Sequence, residues 1–298
     1  MMGDKPKVSV CVMTYNQGAF IRHCLQSIFD QKTNFDFEVI VGDDCSTDGT
    51  REIVQEFGER YAGIIKTILH EKNVGPMKNF LSVHSVAQGE YIAHLDGDDY
   101  ALPGKLQAQV NVLDNEPDCN VVWHRMKIQN ERDGGLSDDI NHNHIVGSMK
   151  FWRADLLRLG SITYHSSKMY RAKYRNLDQL VHPCLDYYIS IINMDAGYGR
   201  ILDGMYGVYR LSPGTLTGQE STGQLYLQHL RDFLTKYPEY KLEIAENALM
   251  DALANGKRLR KRALDGFVIF LKVFSLKPVL SLVKGWRVRR SFRFPKSL

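Results

Sequence analysis

The sequence predicts an α/β protein in which a mostly parallel β-sheet is flanked by helices. Short apolar runs typical of buried strands alternate with helical segments over the first hundred residues, and polar loops follow those strands. The C-terminal residues mix basic and apolar side chains, which predicts a helical, basic extension. A chain of 298 residues allows one large domain with an appendage.

The predicted elements follow one another in chain order. Strands are predicted at 8–13, 37–41, 64–69 and 91–95, and helices at 19–29, 50–61 and 76–87. A strand at 120–126, a loop at 129–143, a helix near 183–193 and helices between 220 and 253 come next. Such alternation indicates parallel strands joined by helices.

Three carboxylates stand within four residues directly after the strand at 91–95, in Asp96-Gly97-Asp98-Asp99. Carboxylates packed so closely repel one another and resist burial, so a cation or a solvated loop accompanies them. Mg²⁺ and Mn²⁺ take oxygen ligands and leave coordination positions open for substrate phosphates. The turn therefore predicts a metal site for a nucleotide diphosphate, with an ordinary solvated turn as the alternative.

Two more polar loops follow predicted strands, at 14–17 and 43–50. Ligands of open parallel sheets bind outside the carboxyl ends of the strands, so one crevice could hold all three loops. The Tyr15 ring could stack on a base, and Asp44 could accept from a base N–H; ordinary packing is the alternative for Tyr15. For Asp48 a helix-capping role is favoured over ligand contact.

These residues resemble glycosyltransferase family 2, whose members have the Rossmann-like GT-A fold. The resemblance rests on four ordered blocks, at 8–16, 41–50, 73–79 and 89–99. It implies an inverting enzyme with a Mn²⁺ or Mg²⁺ cofactor, in which Asp96 and Asp98 form the acidic metal motif and Asp98 is the direct ligand. The nucleotide-sugar site predicted in this way comprises Thr14, Tyr15, Asn16, Asp43, Asp44, Asn79, Asp96, Gly97 and Arg210.

Beyond residue 100, the segment 165–171 resembles the acceptor side of the family, and 184–188 resembles the position of its catalytic base. Many members have Glu-Asp there, whereas this chain has Leu185 before Asp186, so only the Asp is carried over. A carboxylate can deprotonate the acceptor hydroxyl, and a helix-starting Asp is the alternative role for Asp186. The residues predicted to bind the acceptor are His165, Lys168 and His182.

The predicted organisation has three parts. Residues 5–127 form the nucleotide-sugar-binding half of one domain, 128–218 its acceptor-binding half, and 219–298 the helical extension. Several histidines lie in the middle third, but neither a Cys pair nor helical His spacing accompanies them, so a dedicated zinc site is not expected. The five scattered cysteines predict no disulfide framework.

Charge is concentrated at the end of the chain. Residues 257–298 contain thirteen Lys or Arg and one acid, Asp265, so they carry +12 while the rest of the chain carries −8. Cations beside aromatic and aliphatic residues predict a helix lying on an anionic membrane. Packing on the catalytic domain or on a second subunit is the alternative, and nucleic acid is the least favoured partner. Neither a secretion signal nor a membrane-spanning run is recognisable, which predicts a cytoplasmic protein, peripheral on the inner face of the membrane.

The sequence thus predicts transfer of a hexose, with inversion, from a UDP-sugar to a hydroxyl of a polyprenyl-diphosphate-linked saccharide in surface polysaccharide or O-antigen assembly. A nucleotidyltransferase acting on a sugar phosphate is one alternative, although the loop at 14–18 lacks the cation expected of a phosphate loop. A binding or scaffold protein without turnover is the other.

Overall fold

The structure, a computed structural model, describes residues 5–139, 150–180, 183–211, 220–255 and 260–273. In chain order its strands and helices are β1 (Val8–Thr14), α1 (Ile21–Phe29), β2 (Phe37–Asp43), α2 (Thr50–Arg60), β3 (Ile65–Leu69), α3 (Pro76–Ser85), β4 (Tyr91–Asp96), β5 (Tyr100–Ala101), α4 (Lys105–Asn115), β6 (Cys119–Asn130), β7 (Leu136–Asp138), β8 (Lys150–Phe151), α5 (Arg153–Leu159), β9 (Met169–Arg171), α6 (Asp186–Ile192), β10 (Tyr198–Leu211), α7 (Glu220–Lys236), α8 (Lys241–Asn255) and α9 (Arg260–Leu271).

The chain forms two compact units that interleave along the sequence. The first comprises 1–139, 163–182 and 196–212, and the second comprises 140–162, 183–195 and 213–298. The predicted boundaries at 127 and 218 divide the chain in sequence order, and they stay a prediction.

The first unit is built on a sheet with the strand order β3-β2-β1-β4-β9-β6-β10-β5. The four strands from β3 to β4 are parallel, as predicted. Beyond them the sheet is mixed, because β9 runs antiparallel to both β4 and β6, whereas β6 and β10 are parallel. The predicted α/β class with flanking helices is confirmed.

The core of this unit lies between the parallel strands and their helices. Helix α1 buries Ile21, Cys24, Leu25 and Ile28, whose three- and four-residue spacing places them on one face. Strand β1 is buried almost throughout, as expected for a central parallel strand covered on both faces.

The structure corrects the loop predicted at 129–143. Strand β6 continues to Asn130, turns through Gly134 with a φ of +69°, and pairs antiparallel with β7. The exposed side chains of β7 give no apolar alternation, so the hairpin has no hydrophobic pattern in the sequence. Residues 140–143 lie outside the described residues.

The second unit is helical at its C-terminal end, as predicted. Helices α7 and α8 are separated at Pro238, and α9 packs on α8 through Phe270, which contacts Ala245 and Leu249. A Cβ at Gly266 would lie 2.9 Å from the Ala248 carbonyl oxygen, which indicates a close approach of these two helices. None of the helices that the structure describes combines the length and apolar character needed to cross a bilayer.

Candidate nucleotide site at the ends of the parallel strands

The register of three neighbouring strands brings the predicted site residues of the first unit together. Thr14 at the end of β1 pairs with Asp43 at the end of β2, and Met13 pairs with Asp96 at the end of β4. Because parallel strands end at one edge of the sheet, the loops that follow them share one rim.

Hydrogen bonds tie the first two loops to each other. The Asn16 N–H donates to Ser46 Oγ at 2.9 Å, and the Thr47 N–H donates to Asn16 Oδ1 at 2.9 Å. Asn16 has a φ of +51°, a conformation that Asn tolerates better than most residues. Asp48 also has a structural role, since its carboxylate accepts from the Gly18 and Thr50 N–H groups. These contacts fix the shape of the rim.

Asp43, the last residue of β2, and Asp44, which follows it, are buried and hold the neighbouring chain segments. Asp44 accepts from the Val74 N–H at 2.6 Å and the Gly75 N–H at 3.0 Å, so it orders the loop before α3. Asp43 accepts from Arg51 Nε at 3.2 Å through Oδ2. A carboxylate oxygen has more than one acceptor position, so these bonds leave capacity for a ligand.

Asn79 is predicted to contact the nucleotide sugar, yet it is buried beneath the rim. Its Nδ2 donates to the Gly42 carbonyl oxygen at 2.9 Å, and a Cβ at Gly42 would lie only 2.2 Å from Asn79 Oδ1. This packing supports β2 against α3, and a role in ligand contact stays a prediction.

Thr14 and Tyr15 differ in exposure. Tyr15 is 48% exposed, which leaves its ring available for stacking, whereas Thr14 is buried at the strand end. Four buried oxygen atoms of the rim loops have no hydrogen-bond partner within the part of the chain that the structure describes: Thr14 Oγ1, Gln17 Oε1, Asp43 Oδ1 and Asp99 Oδ2. Buried polar atoms without partners are rare and mark places where a ligand can bind.

The acidic turn is held firmly at its start. Asp96 Oδ1 lies 3.0 Å from His94 Nε2, and Ser166 Oγ donates to Asp96 Oδ2 at 3.3 Å. Gly97 packs so closely that an added Cβ would lie 2.5 Å from Gln17 Oε1. The backbone of this turn therefore lies directly against the loop after β1.

Burial raises the proton affinity of all three carboxylates of the turn, and neighbouring carboxylates add to this effect at Asp98 and Asp99. Burial raises the pKa of Asp96 to about 6, and burial together with the neighbouring Asp96 charge raises the pKa of Asp98 to about 6. Burial also raises the pKa of Asp99 well above its usual range. A divalent cation would offset the repulsion between these groups, and their oxygen atoms are the ligands that Mg²⁺ and Mn²⁺ prefer. The acidic turn therefore fits such a cation.

Arg210 lies beside the acidic turn, and its predicted contact with the nucleotide sugar stays a prediction. Its N–H donates to Asp99 Oδ1 at 2.9 Å, and its guanidinium forms an ion pair with Glu131 at 2.9 Å. The guanidinium charge lowers the pKa of Asp98, although burial has the larger, opposite effect. Arg210 thus both fixes the turn and contributes positive charge next to it.

Two of the predicted acceptor residues lie behind the acidic turn. Lys168 has no exposed surface, and its Nζ lies 5.8 Å from the centroid of the Tyr170 ring. His165 stacks on His94 with ring centroids 3.7 Å apart. A fully buried ammonium does not fit direct contact with an acceptor sugar, so in this structure Lys168 acts as a charge beside the carboxylates. The third residue, His182, lies outside the described residues.

Sequence reasoning missed His84, His94 and Tyr170, which connect to Asp96 through buried hydrogen bonds. The sequence did contain one indication of this contact. Side chains alternate along a strand, so His94 and Asp96 in β4 lie on the same face. His94, Asp96 and His165 lie close enough to suggest a metal site. However, ring-nitrogen lone pairs lie in the ring planes, and two rings stacked at 23° do not direct both lone pairs at one ion.

Asp186, the predicted base, is the first residue of α6 in the second unit. Its Oδ1 accepts from the Tyr187 N–H at 2.9 Å. A carboxylate in the first turn of a helix is favoured by the helix dipole, which is the structural role considered for it above. Its catalytic role stays a prediction.

Comparison with known proteins agrees with this architecture. Residues 9–193 match the family described as glycosyl transferase family 2. An uncharacterised protein of Mycobacterium tuberculosis is 34% identical over 210 residues, which cover 68% of this chain and 58% of that protein. The abequosyltransferase RfbV of Salmonella typhimurium is 34% identical over 112 residues, or 37% of this chain and 34% of that enzyme. The chain thus spans little more than half the length of the first of these relatives.

Solved structures share the fold. S. aureus TarS 1-349 in complex with UDP-GlcNAc superposes with a TM-score of 0.68 at 21% identity, covering 96% of this chain and 91% of that one. The mannosyltransferase PcManGT from Pyrobaculum calidifontis, in complex with GDP-Man and Mn²⁺, gives a TM-score of 0.60 at 17% identity, covering 97% and 85%. The family match spans most of the chain, including all three loops of the rim, and the chain belongs to glycosyl transferase family 2.

Proposed function

We propose that this protein transfers a hexose from a UDP-sugar to a hydroxyl of a polyprenyl-diphosphate-linked saccharide, with inversion at the anomeric carbon. The observation that carries the proposal is the rim of the first unit, where Thr14, Asp43 and Asp96 end three register-matched strands. Surface polysaccharide or O-antigen assembly is the proposed setting, and the abequosyltransferase among the relatives supports sugar transfer as the activity.

The donor would bind along this rim. Tyr15 offers an exposed ring for the base, whereas Thr14 and Asp43 are buried at the strand ends, and we propose that they line the site beneath the nucleoside. UDP is the proposed nucleotide because the TarS structure contains UDP-GlcNAc. Since PcManGT contains GDP-Man, assays should test both nucleotides.

Asp98, with Asp96, would hold a Mn²⁺ or Mg²⁺ ion at the diphosphate. When bound, such an ion supplies positive charge that offsets the negative charge of the departing nucleotide diphosphate. Arg210 adds a fixed cation beside the same turn, at a place where it also lowers the pKa of Asp98.

Asp186 is the proposed base. It would take the proton of the acceptor hydroxyl while the acceptor oxygen bonds to the anomeric carbon and the bond from that carbon to the diphosphate breaks. The acceptor contacts predicted for His165, Lys168 and His182 belong to this proposal as well, with Lys168 acting through its charge.

Donor turnover tests the proposal. We expect the full chain to release UDP slowly from UDP-sugars when Mn²⁺ is present, and not when the ion is chelated. Release from a panel of UDP- and GDP-sugars, measured by coupled detection of the free nucleotide, would identify the donor. A chain that binds UDP but releases none from any donor or with any saccharide acceptor would instead be a binding protein.

We also propose that the C-terminal helices contact an anionic membrane from the cytoplasmic side. Leu264, Phe267, Val268 and Leu271 are exposed on α9 at three- and four-residue spacing, so they form one apolar stripe. Cations follow this stripe, since residues 274–298 contain seven Lys or Arg and no acid. Apolar residues beside cations are typical of helices that lie in the interface of anionic lipids.

Liposome co-sedimentation of the full chain tests this surface. The double variant Leu264→Gln/Phe267→Gln should bind phosphatidylglycerol vesicles at least ~10-fold more weakly, because each apolar side chain contributes about 1.5–3 kcal/mol when buried. A matched control changes two other exposed apolar residues, which lie in the first unit, Ile64→Gln/Leu136→Gln. Equal sedimentation of both variants and the parent would rule out the apolar stripe as a membrane contact. Concentration-dependent dimerisation of the parent would instead favour packing of the stripe on a second subunit.

A further inference from the structure

A row of buried polar side chains leads away from Asp96 into the core of the first unit. Tyr170 Oη lies 3.0 Å from His84 Nδ1, His84 Nε2 lies 3.1 Å from His94 Nδ1, and His94 Nε2 lies 3.0 Å from Asp96 Oδ1. Tyr170, His84 and His94 are at most 1% exposed. They come from β9, α3 and β4, three elements that meet behind the acidic turn.

The chemistry of each group gives the row a direction. An ionised carboxylate only accepts hydrogen bonds, so His94 Nε2 must carry the proton that points at Asp96. In a neutral imidazole the other nitrogen then accepts, and His94 Nδ1 takes the bond from His84 Nε2–H. By the same argument His84 Nδ1 accepts from the Tyr170 hydroxyl. Every donor in the row therefore points toward Asp96.

Burial supports the neutral state of both rings. Desolvation lowers the pKa of His84 and His94 well below the ordinary range, and the buried charge of Lys168 acts in the same direction. If His94 were protonated on both nitrogens, its Nδ1–H would face the Nε2–H of His84. The donors would then no longer all point toward Asp96.

We propose that Tyr170, His84 and His94 are positioning residues, which hold the Asp96 carboxylate in one orientation at the donor site through a one-way chain of hydrogen bonds. The proposal rests on the proposed function, because the orientation matters only if Asp96 faces a cation and a diphosphate. Asp96 is held from both sides, with His94 at Oδ1 and Ser166 at Oδ2. Its side chain is nevertheless 31% exposed, so it can still reach a ligand.

A packing role alone does not account for this row. Buried hydrogen bonds between neutral groups contribute little net stability, and apolar side chains of similar size can replace a complete buried polar set with little loss. What apolar residues cannot do is direct a carboxylate. Partners that orient a ligating side chain in this way commonly change metal affinity 10- to 100-fold when they are removed.

The first test reads the tautomers in the metal-free protein. We expect ¹⁵N NMR of the histidine-labelled full chain at pH 8 to show His84 and His94 neutral, with Nε2 protonated and Nδ1 bare. His84→Gln and His94→Gln assign the two signals. A protonated Nδ1 in either ring would overturn the proposal. This readout requires neither substrate nor turnover, so it stands or falls separately from the proposed transferase activity.

The second test separates orientation from packing. His94→Leu should weaken Mn²⁺-dependent binding of UDP, measured by calorimetry, by ~10-fold or more. His94→Gln, whose Nε2 can still donate to Asp96, should recover most of that affinity. Parental affinity in His94→Leu, or equal loss in both variants, would contradict the proposal.

A tyrosine pair provides a milder version of the same experiment in case His94→Leu does not fold. Tyr170→Phe removes only the hydroxyl at the start of the row, and we expect a several-fold weaker affinity for UDP with Mn²⁺. The matched control is Tyr91→Phe, which removes the hydroxyl of a tyrosine that is as buried overall as Tyr170. This hydroxyl donates to Asp114 at 2.6 Å in a partly buried bond, away from Asp96. Identical affinities for the two variants would refute a positioning role.

Discussion

Asp98→Asn is expected to reduce Mn²⁺-dependent UDP binding by at least ~100-fold, since removal of a residue that merely orients a ligand already costs 10- to 100-fold. The substitution keeps the size of the side chain and removes only its charge. Isothermal titration of UDP with and without Mn²⁺ measures the effect. Asp36→Asn, an exposed aspartate of the same unit, is the matched control and should bind as the parent does.

The same variant should also make the metal-free protein more stable at pH 7–8. The pKa of Asp98 is raised to about 6, so the folded state binds a proton more readily than the unfolded state. Stability therefore falls as the pH rises from about 4 to about 6, and at neutral pH the ionised carboxylate destabilises the fold by ~3 kcal/mol. Thermal unfolding in EDTA would contradict this account if Asp98→Asn unfolded at a lower temperature than the parent.

Asp186→Asn is expected to lower kcat by ~10²–10⁴-fold, the usual contribution of a general base, with little change in UDP affinity. The amide keeps the volume of the side chain but cannot accept the proton of the acceptor hydroxyl at neutral pH. Transfer under saturating donor and acceptor, together with calorimetry of UDP binding, separates the two quantities.

Asp178→Asn is a suitable control for this substitution, because Asp178 is an acidic residue of a short 3₁₀ helix, Leu177–Gln179, to which no role is assigned. Should Asp186→Asn transfer sugar at the parental rate, the base must be another residue. The departure from the family pattern at Leu185 makes this experiment the decisive one for the second half of the chain.

The sequence predicted the parallel half of the fold to within a few residues. Short apolar strands and amphipathic helices are local patterns, and their alternation leaves few possible arrangements. The polar loops at 14–17, 43–50 and 96–99 could be placed at one rim for the same reason, because all parallel strands point the same way.

Pairings between distant segments could not be predicted in this way. Strand β9 has only three residues, and its place between β4 and β6 depends on neighbours far away in sequence. The same insertion places Tyr170 beside His84 and buries Lys168, two features that the sequence pattern did not indicate. The acceptor role of this segment stays a prediction.

The sequence by itself therefore determined the fold class, the family and the identity of the acidic turn, since these depend on residue types and on spacing along the chain. Only the tertiary structure decided what each side chain does there. Asp44 and Asn79 hold loops and strands, and a row of neutral side chains reaches Asp96 from three elements. The reason is physical: burial and hydrogen-bond direction are properties of the packed chain, and no local pattern encodes them.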